Sequence, residues 1–271
     1  MIIDAHVHVS ENGTWFDTDL VATPAQLLEQ LDLASIERAV LLPTFNHCDN
    51  RTIFEICRQY PHRLIGFATV DVHNVSKALI QMQEAYECFN AQGMKLHPRF
   101  QKFKPLDRKF YPIYEKSAEY GWPIVFDGFL QSKEVPMEAL LPTCYDILAK
   151  QFPALKIVIA HMGGHRFWDS FYIAKANMNV YLDISFVLSV FAKLPHLLEE
   201  LKFVIGECHQ KIIYGSDFPE ISLPDYLLFT QDLLKDFPPA KKEYIFGGSF
   251  LQLMGSASRF ENDHFIGEKP K

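Results

Sequence analysis

The sequence predicts a single closed (β/α)8 TIM barrel over residues 1–271, with the tail 260–271 peripheral to it. Three observations carry that prediction. Short apolar runs alternate with longer amphipathic segments along the chain, recurring about every 30 residues, the span of one βαβ unit. These runs are rich in Val, Ile, Leu and Phe, as strands buried on both faces require. Polar residues gather at or just past their C-terminal ends: His6, His8, His97, Asp127, His161, Ser185 and Asp217. A barrel assembles its active site from several strands at that face.

Taken in order, the strand-like runs are Ile2–His8, Ala39–Leu42, Leu64–Val70, Gly93–His97, Pro123–Asp127, Lys156–His161, Val180–Ser185 and Lys211–Gly215. The first helix, Pro24–Leu33, follows Thr23 as N-cap and opens on proline, which suits the first helical position. Further helical patterns cover Lys77–Phe89, Tyr111–Tyr120, Met137–Gln151, Pro195–Ile205 and Asp225–Leu234, and a final one near Tyr244–Met254 can cover the barrel's edge. The competing architecture is an open doubly wound sheet, which would place a glycine-rich phosphate turn behind the first strand. Here that strand ends in His-Val-His with no such turn. No repeat, low-complexity tract or linker interrupts the pattern; the loop Phe129–Pro136 and the tail after Phe260 are the expected mobile pieces.

Composition narrows the function classes. Apolar residues make up 48% and charged residues 22%, enough for a sizeable core. A net charge of -7 disfavours binding to nucleic acid, which calls for a basic face. Five scattered cysteines without CxxC spacing read as reduced thiols. The opening MIIDAHVHVS carries charge and histidines, unlike a signal peptide, and no long uncharged apolar stretch suits a membrane span. The expectation is a cytoplasmic enzyme with a small-molecule substrate. The 23 phenylalanines read as core packing, and the histidines outside strand ends, His47 among them, as mostly surface residues.

Several constellations could carry chemistry. His6 and His8 stand two apart in a strand, so both imidazoles can face one metal ion; the alternative is a pair of hydrogen-bonded structural histidines. Asp217, just past the eighth strand, could bind metal and accept a proton from water, or cap a helix with Ser216. His161 precedes Gly163-Gly164 and could be a ligand, a general base, an electrophile or a buried neutral histidine. Arg166 is a candidate anion clamp or a helix-surface arginine. Lys95 and His97 share a side of the fourth strand. A lysine pointing into a barrel is costly unless paired or modified, so Lys95 could hold a substrate anion, form a metal-bridging carbamate or pair with a carboxylate. Asp127 could ligate metal or pair with Lys95 or His97.

Together these residues resemble the amidohydrolase superfamily, in particular its amidohydrolase-related ("amidohydrolase 2") branch. The motifs are Ile3-Asp-Ala-His-Val-His8, Gly93-Met-Lys-Leu-His-Pro98, Ile159-Ala-His-Met-Gly-Gly164 and Tyr214-Gly-Ser-Asp-Phe-Pro219, with Tyr60-Pro-His-Arg-Leu-Ile-Gly-Phe67 leading into the third strand. The resemblance implies a divalent metal, usually zinc, held by His6, His8 and Asp217, with His161 contacting the metal or its water. It further implies hydrolysis of an amide, lactone or ester through a metal-activated water, Asp217 taking the proton. One departure matters: the branch usually has histidine on the fifth strand, where this chain has Asp127. A site of His6, His8, Asp127 and Asp217 would be more anionic and would let Mn²⁺ compete; the loss could equally weaken metal binding, as in lactonases of the superfamily thought to work without metal. A second departure, Gly247-Gly-Ser249 where relatives often carry Gly-Asn, is expected to touch only a cap.

The leading expectation is a metal-dependent hydrolase of a small anionic substrate, with Lys95, His97, Arg99 and Arg166 as substrate-binding candidates. A non-oxidative decarboxylase is the alternative, and a catalytically silent binding barrel the third reading. Many such decarboxylases open with a Glu-x-His type motif where this chain has Asp4-Ala-His, which favours hydrolysis. Specificity is expected in the loops Ser10–Leu20, Phe45–Asn50 and Phe129–Pro136. A homodimer is the family-level expectation.

Overall fold

The structure, a computed structural model, describes residues 1–45 and 47–255; the tail 260–271 lies outside them. Eight strands run in parallel: β1 (Ile3–Val7), β2 (Arg38–Leu41), β3 (Leu64–Gly66), β4 (Met94–Leu96), β5 (Pro123–Phe126), β6 (Lys156–Ile159), β7 (Val180–Asp183) and β8 (Ile212–Ile213). Ladders join β1-β2-β3 and β4-β5-β6-β7-β8. The two seams are closed by fewer bonds. At one, Ala68 pairs with Met94 and accepts from Lys95 N at 2.8 Å. At the other, Val7 pairs with Phe218, and Ala5 N donates to Tyr214 O at 2.9 Å. The sheet is therefore a barrel, and the doubly wound alternative falls.

Helices α1 (Pro24–Leu33), α2 (Asn50–Gln59), α3 (Val75–Glu87), α4 (Tyr111–Glu119), α5 (Thr143–Gln151), α6 (Phe167–Ala176), α7 (Val187–Phe191), α8 (Pro195–Glu207), α9 (Leu223–Leu233), α10 (Pro239–Glu243) and α11 (Ser249–Met254) accompany the strands. Thr23 caps α1 through Gln26 N, as its side chain and Pro24 dictate. Asp49 and Asn74 cap α2 and α3 in the same way. Four helices escape the periodicity reading: α2, the five-residue α7 and α10, and α6, whose aromatic content blurs the polar face. The helix expected over Met137–Gln151 breaks into a 3-10 turn, Met137–Leu140, and α5. Pro142 lies between them, and proline starts a helix more readily than it continues one.

Two buried layers result. Outward-facing strand residues such as Leu41, Leu96, Ile124 and Ile159 pack under the helices. Inward-facing residues, among them Ile3, Ala5, Val40, Ile65, Val158 and Ile213, fill the lower barrel together with Phe250, Leu253 and Met254 of α11. This helix plugs the N-terminal end, leaving the C-terminal end for polar side chains. The described residues include no helix long and apolar enough to cross a membrane. All five cysteines are free thiols.

Candidate active site

The site begins with an irregularity in β1. Asp4 pairs with Ala39 and Val7 with Leu41, so Ala5 and His6 together oppose Val40. That bulge changes the parity of the strand: Ile3 and Ala5 face the lower barrel, and above it His6 and His8 face the mouth. Asp4 secures the bulge, since its Oδ1 accepts from His6 N at 3.1 Å and Ser216 N at 3.0 Å. Burial drives the Asp4 carboxyl up to about 7, although hydrogen bonds from Ser216 oppose the shift. Gly215 lets β8 approach β1, because a Cβ there would lie 2.6 Å from the His6 Cβ. Left-handed backbone then aims two side chains. Asp217 has φ 72°, and His161 through Gly164 all have φ between 50° and 75°, a run that turns His161 back across the barrel and that the glycine pair favours.

The imidazoles of His6, His8 and His161 each have Nδ1 occupied. His6 Nδ1 donates to Asp183 Oδ2 at 2.5 Å, with Ser185 Oγ 3.0 Å away. His8 Nδ1 donates to Leu42 O at 2.7 Å. His161 Nδ1 lies 3.0 Å from both the carbonyl and the hydroxyl oxygen of Ser185. These acceptors take up Nδ1 and leave Nε2 as the ring nitrogen that faces the barrel mouth. These nitrogens converge: Asp217 Oδ1 is 3.4 Å from His6 Nε2 and 3.2 Å from His8 Nε2. One ligand atom each from His6, His161 and Asp217 falls within a 4.8 Å set. Four donors at about 2.0–2.1 Å in a tetrahedron stand roughly 3.3 Å apart, so nitrogen and oxygen donors at these separations fit a divalent ion.

Charge follows the same logic. Burial, and then Lys95, hold His6 well below the ordinary histidine range. Burial pushes the Asp217 carboxyl up, and a proton taken by His6, His8 or His161 pulls it below the ordinary range. Lys95 is fully buried and its Nζ donates to His6 Nε2 at 3.2 Å. Burial lowers its pKa, opposed by Asp127, Asp183 and Asp217.

The fifth-strand carboxylate takes a different partner from those expected. Asp127 is paired with Arg99, through Nε to Oδ2 and through Nη2 to Oδ1 at 3.3 Å, and its Oδ1 is 3.7 Å from His161 Nε2. It falls outside the convergent ligand set, because the guanidinium satisfies it first. Arg166 turns outward, in an ion pair with Asp169 at 2.5 Å, and is not at the mouth. His97 is buried against Phe100, its Nδ1 without a hydrogen-bond partner.

Sequence reasoning missed Asp183, legible only as an acid inside an apolar strand, and left Ser185 without a role. It also assigned the phenylalanines to packing. Two of them, together with Trp15, instead roof the site: Phe129 stacks on His161 at 4.4 Å, Trp15 on His8 at 4.9 Å, and Phe16 on His47 at 4.4 Å. His47, expected at the surface, belongs to this roof. Arg99 lies 4.3 Å above the Phe100 ring and 5.3 Å above Phe129.

A family model described as amidohydrolase matches residues 3–249. The chain belongs to that family. Among solved structures, this amidohydrolase is similar to an uncharacterised TIM-barrel protein of Bordetella bronchiseptica (TM-score 0.79, 18% identity, 93% of this chain and 98% of that one). It is also similar to a probable 2-pyrone-4,6-dicarboxylic acid hydrolase of Acinetobacter baumannii solved with citric acid bound (0.68, 18%, 94% and 99%). A third is the 5-carboxyvanillate decarboxylase of Sphingomonas paucimobilis (0.67, 16%, 93% and 98%). At these identities the likeness establishes the amidohydrolase's fold. No curated protein matches the chain.

Proposed function

We propose that the protein is a zinc-dependent hydrolase of a small carboxylate-bearing ester, lactone or amide. One observation carries the reading: His6 Nε2 and His8 Nε2 both face one carboxylate oxygen of Asp217, at 3.4 and 3.2 Å. Lone pairs held that close repel unless a cation stands among them, and a set of imidazole and carboxylate donors suits Zn²⁺, with Mn²⁺ as the alternative. His6, His8, His161 and Asp217 are the residues that would hold it. When bound, such an ion polarises a scissile carbonyl and acidifies water.

The chain's own groups supply the rest. Asp217, ionised and at the centre, accepts the proton that the attacking water loses. Ser185 and Asp183 keep His161 and His6 oriented while that proton moves. Arg99 keeps donors beyond its two bonds to Asp127, and these can orient a substrate carboxylate bidentately. The flat faces of Trp15 and Phe129 suit a planar substrate and exclude bulk water from Asp217.

The test is metal analysis of protein purified without chelator, joined to assays over a panel of carboxylate-bearing lactones, esters and amides. Near-stoichiometric metal with hydrolysis is expected. Only traces of metal, with no uptake of added Zn²⁺ or Mn²⁺, would overturn the reading. CO2 release without hydrolysis would instead favour a non-oxidative decarboxylase, the second reading, which the same Arg99 and aromatic roof accommodate. Asp217→Asn should lower turnover by roughly 10²–10⁴-fold with an unchanged circular dichroism spectrum; retained activity would remove Asp217 from the mechanism.

A further inference from the structure

We propose that Lys95 is an internal counter-cation that competes with the metal for His6 Nε2, so that loading the site displaces its ammonium. The proposal rests on the metal-site reading above. Its observation is separate: the Lys95 Nζ is 3.2 Å from the same nitrogen that faces Asp217. Because the His6 Nδ1–H donates a hydrogen bond to Asp183 Oδ2, Nε2 has one in-plane lone pair. That pair can accept from the ammonium or bind a metal, but not both.

Electrostatics point the same way. The three carboxylates of Asp127, Asp183 and Asp217 share two cations within the barrel, Lys95 and Arg99. Arg99 is committed to Asp127. Lys95 therefore supplies the cation that makes the Asp217–His6–His8 group tolerable without metal, and a lysine wholly removed from water needs such partners. A divalent ion brought to His6 meets this ammonium at contact distance. It must displace the ammonium towards Asp127 or Asp183 and overcome its repulsion. On the fifth strand, Asp127 is bound to Arg99 and does not draw the ammonium's repulsion away from an incoming ion.

The experiment compares full-length wild type, Lys95→Met and Lys95→Gln, each stripped of metal, for Zn²⁺ affinity by competition with a chromophoric chelator. Both variants should bind Zn²⁺ more tightly, by roughly ten- to a hundredfold, the range over which partners of metal ligands shift affinity. Equal or weaker binding in the variants, with the wild type binding, would overturn the competition and leave the metal site standing. No binding by any of the three would overturn the metal site and the competition together. Should neither variant fold, the ¹⁵N resonance of Lys95 Nζ in the wild type answers the question. It should shift in step with bound Zn²⁺; an unmoved resonance in the loaded protein would end the proposal.

Discussion

At the scale of single residues, this site is governed by what happens to Nδ1. Three imidazoles give that nitrogen to fixed acceptors, so their lone pairs are aimed before any ligand arrives. Asp183 makes the shortest of these orienting contacts, a buried carboxyl group 2.5 Å from His6 Nδ1. Asp183→Asn should weaken zinc binding by roughly ten- to a hundredfold while leaving substrate-independent properties such as secondary structure unchanged, as chelator competition and circular dichroism would show. Asp4 makes a different prediction. Its carboxyl is pushed from an ordinary 3.8 up to about 7, so the folded state binds its proton more tightly than the unfolded state does. That advantage is complete below the unfolded value and is lost as pH rises through about 7. Asp4→Asn removes the titration. Its stability relative to wild type should therefore rise between pH 5 and pH 8, measured by urea unfolding; a difference flat with pH would exclude this role.

At the scale of elements, two irregularities decide where the side chains point. The β1 bulge admits an extra residue, so one strand fills the lower barrel with Ile3 and Ala5 and the mouth with His6 and His8. The left-handed run from His161 to Gly164 does the same for β6. Alternation in the sequence predicts that His6 and His8 share a side, but it cannot predict the bulge, which depends on the register against β2. Gly215 tests how close the β1–β8 seam is. Gly215→Ala would place a methyl 2.6 Å from the His6 Cβ, and crowding of that kind costs about 1–3 kcal/mol. The variant should melt at lower temperature and lose zinc affinity, because His6 must move. A variant with native melting and native affinity would mean that the seam yields freely.

At the scale of the molecule, the barrel is asymmetric: apolar and plugged at one end, polar and roofed by aromatic rings at the other. Phe250 in the plug is 2% exposed. Truncating a core phenylalanine costs about 3–5 kcal/mol, so Phe250→Ala should lower the urea midpoint strongly without changing the ligands at the far end. Loss of zinc affinity along with stability in that variant would show that the two ends are coupled.

The sequence by itself determined the strand-and-helix rhythm, the barrel and the face that carries the site, because buried parallel strands leave long apolar runs and their ends leave polar residues. It also singled out His6, His161 and Asp217, whose ligand atoms lie within 4.8 Å of one another, and His8, which stands beside Asp217. Only the tertiary structure decided the partners. Asp127 went to Arg99, Arg166 to Asp169, Lys95 to His6, and Phe129 and Trp15 to the roof. These are contacts between residues far apart in the chain or reached by loops, and no local pattern encodes which of several acceptors a charged group meets first. Whether a polar residue stands at the mouth is a matter of periodicity; whether it faces a metal, a lysine or an arginine is a matter of distance.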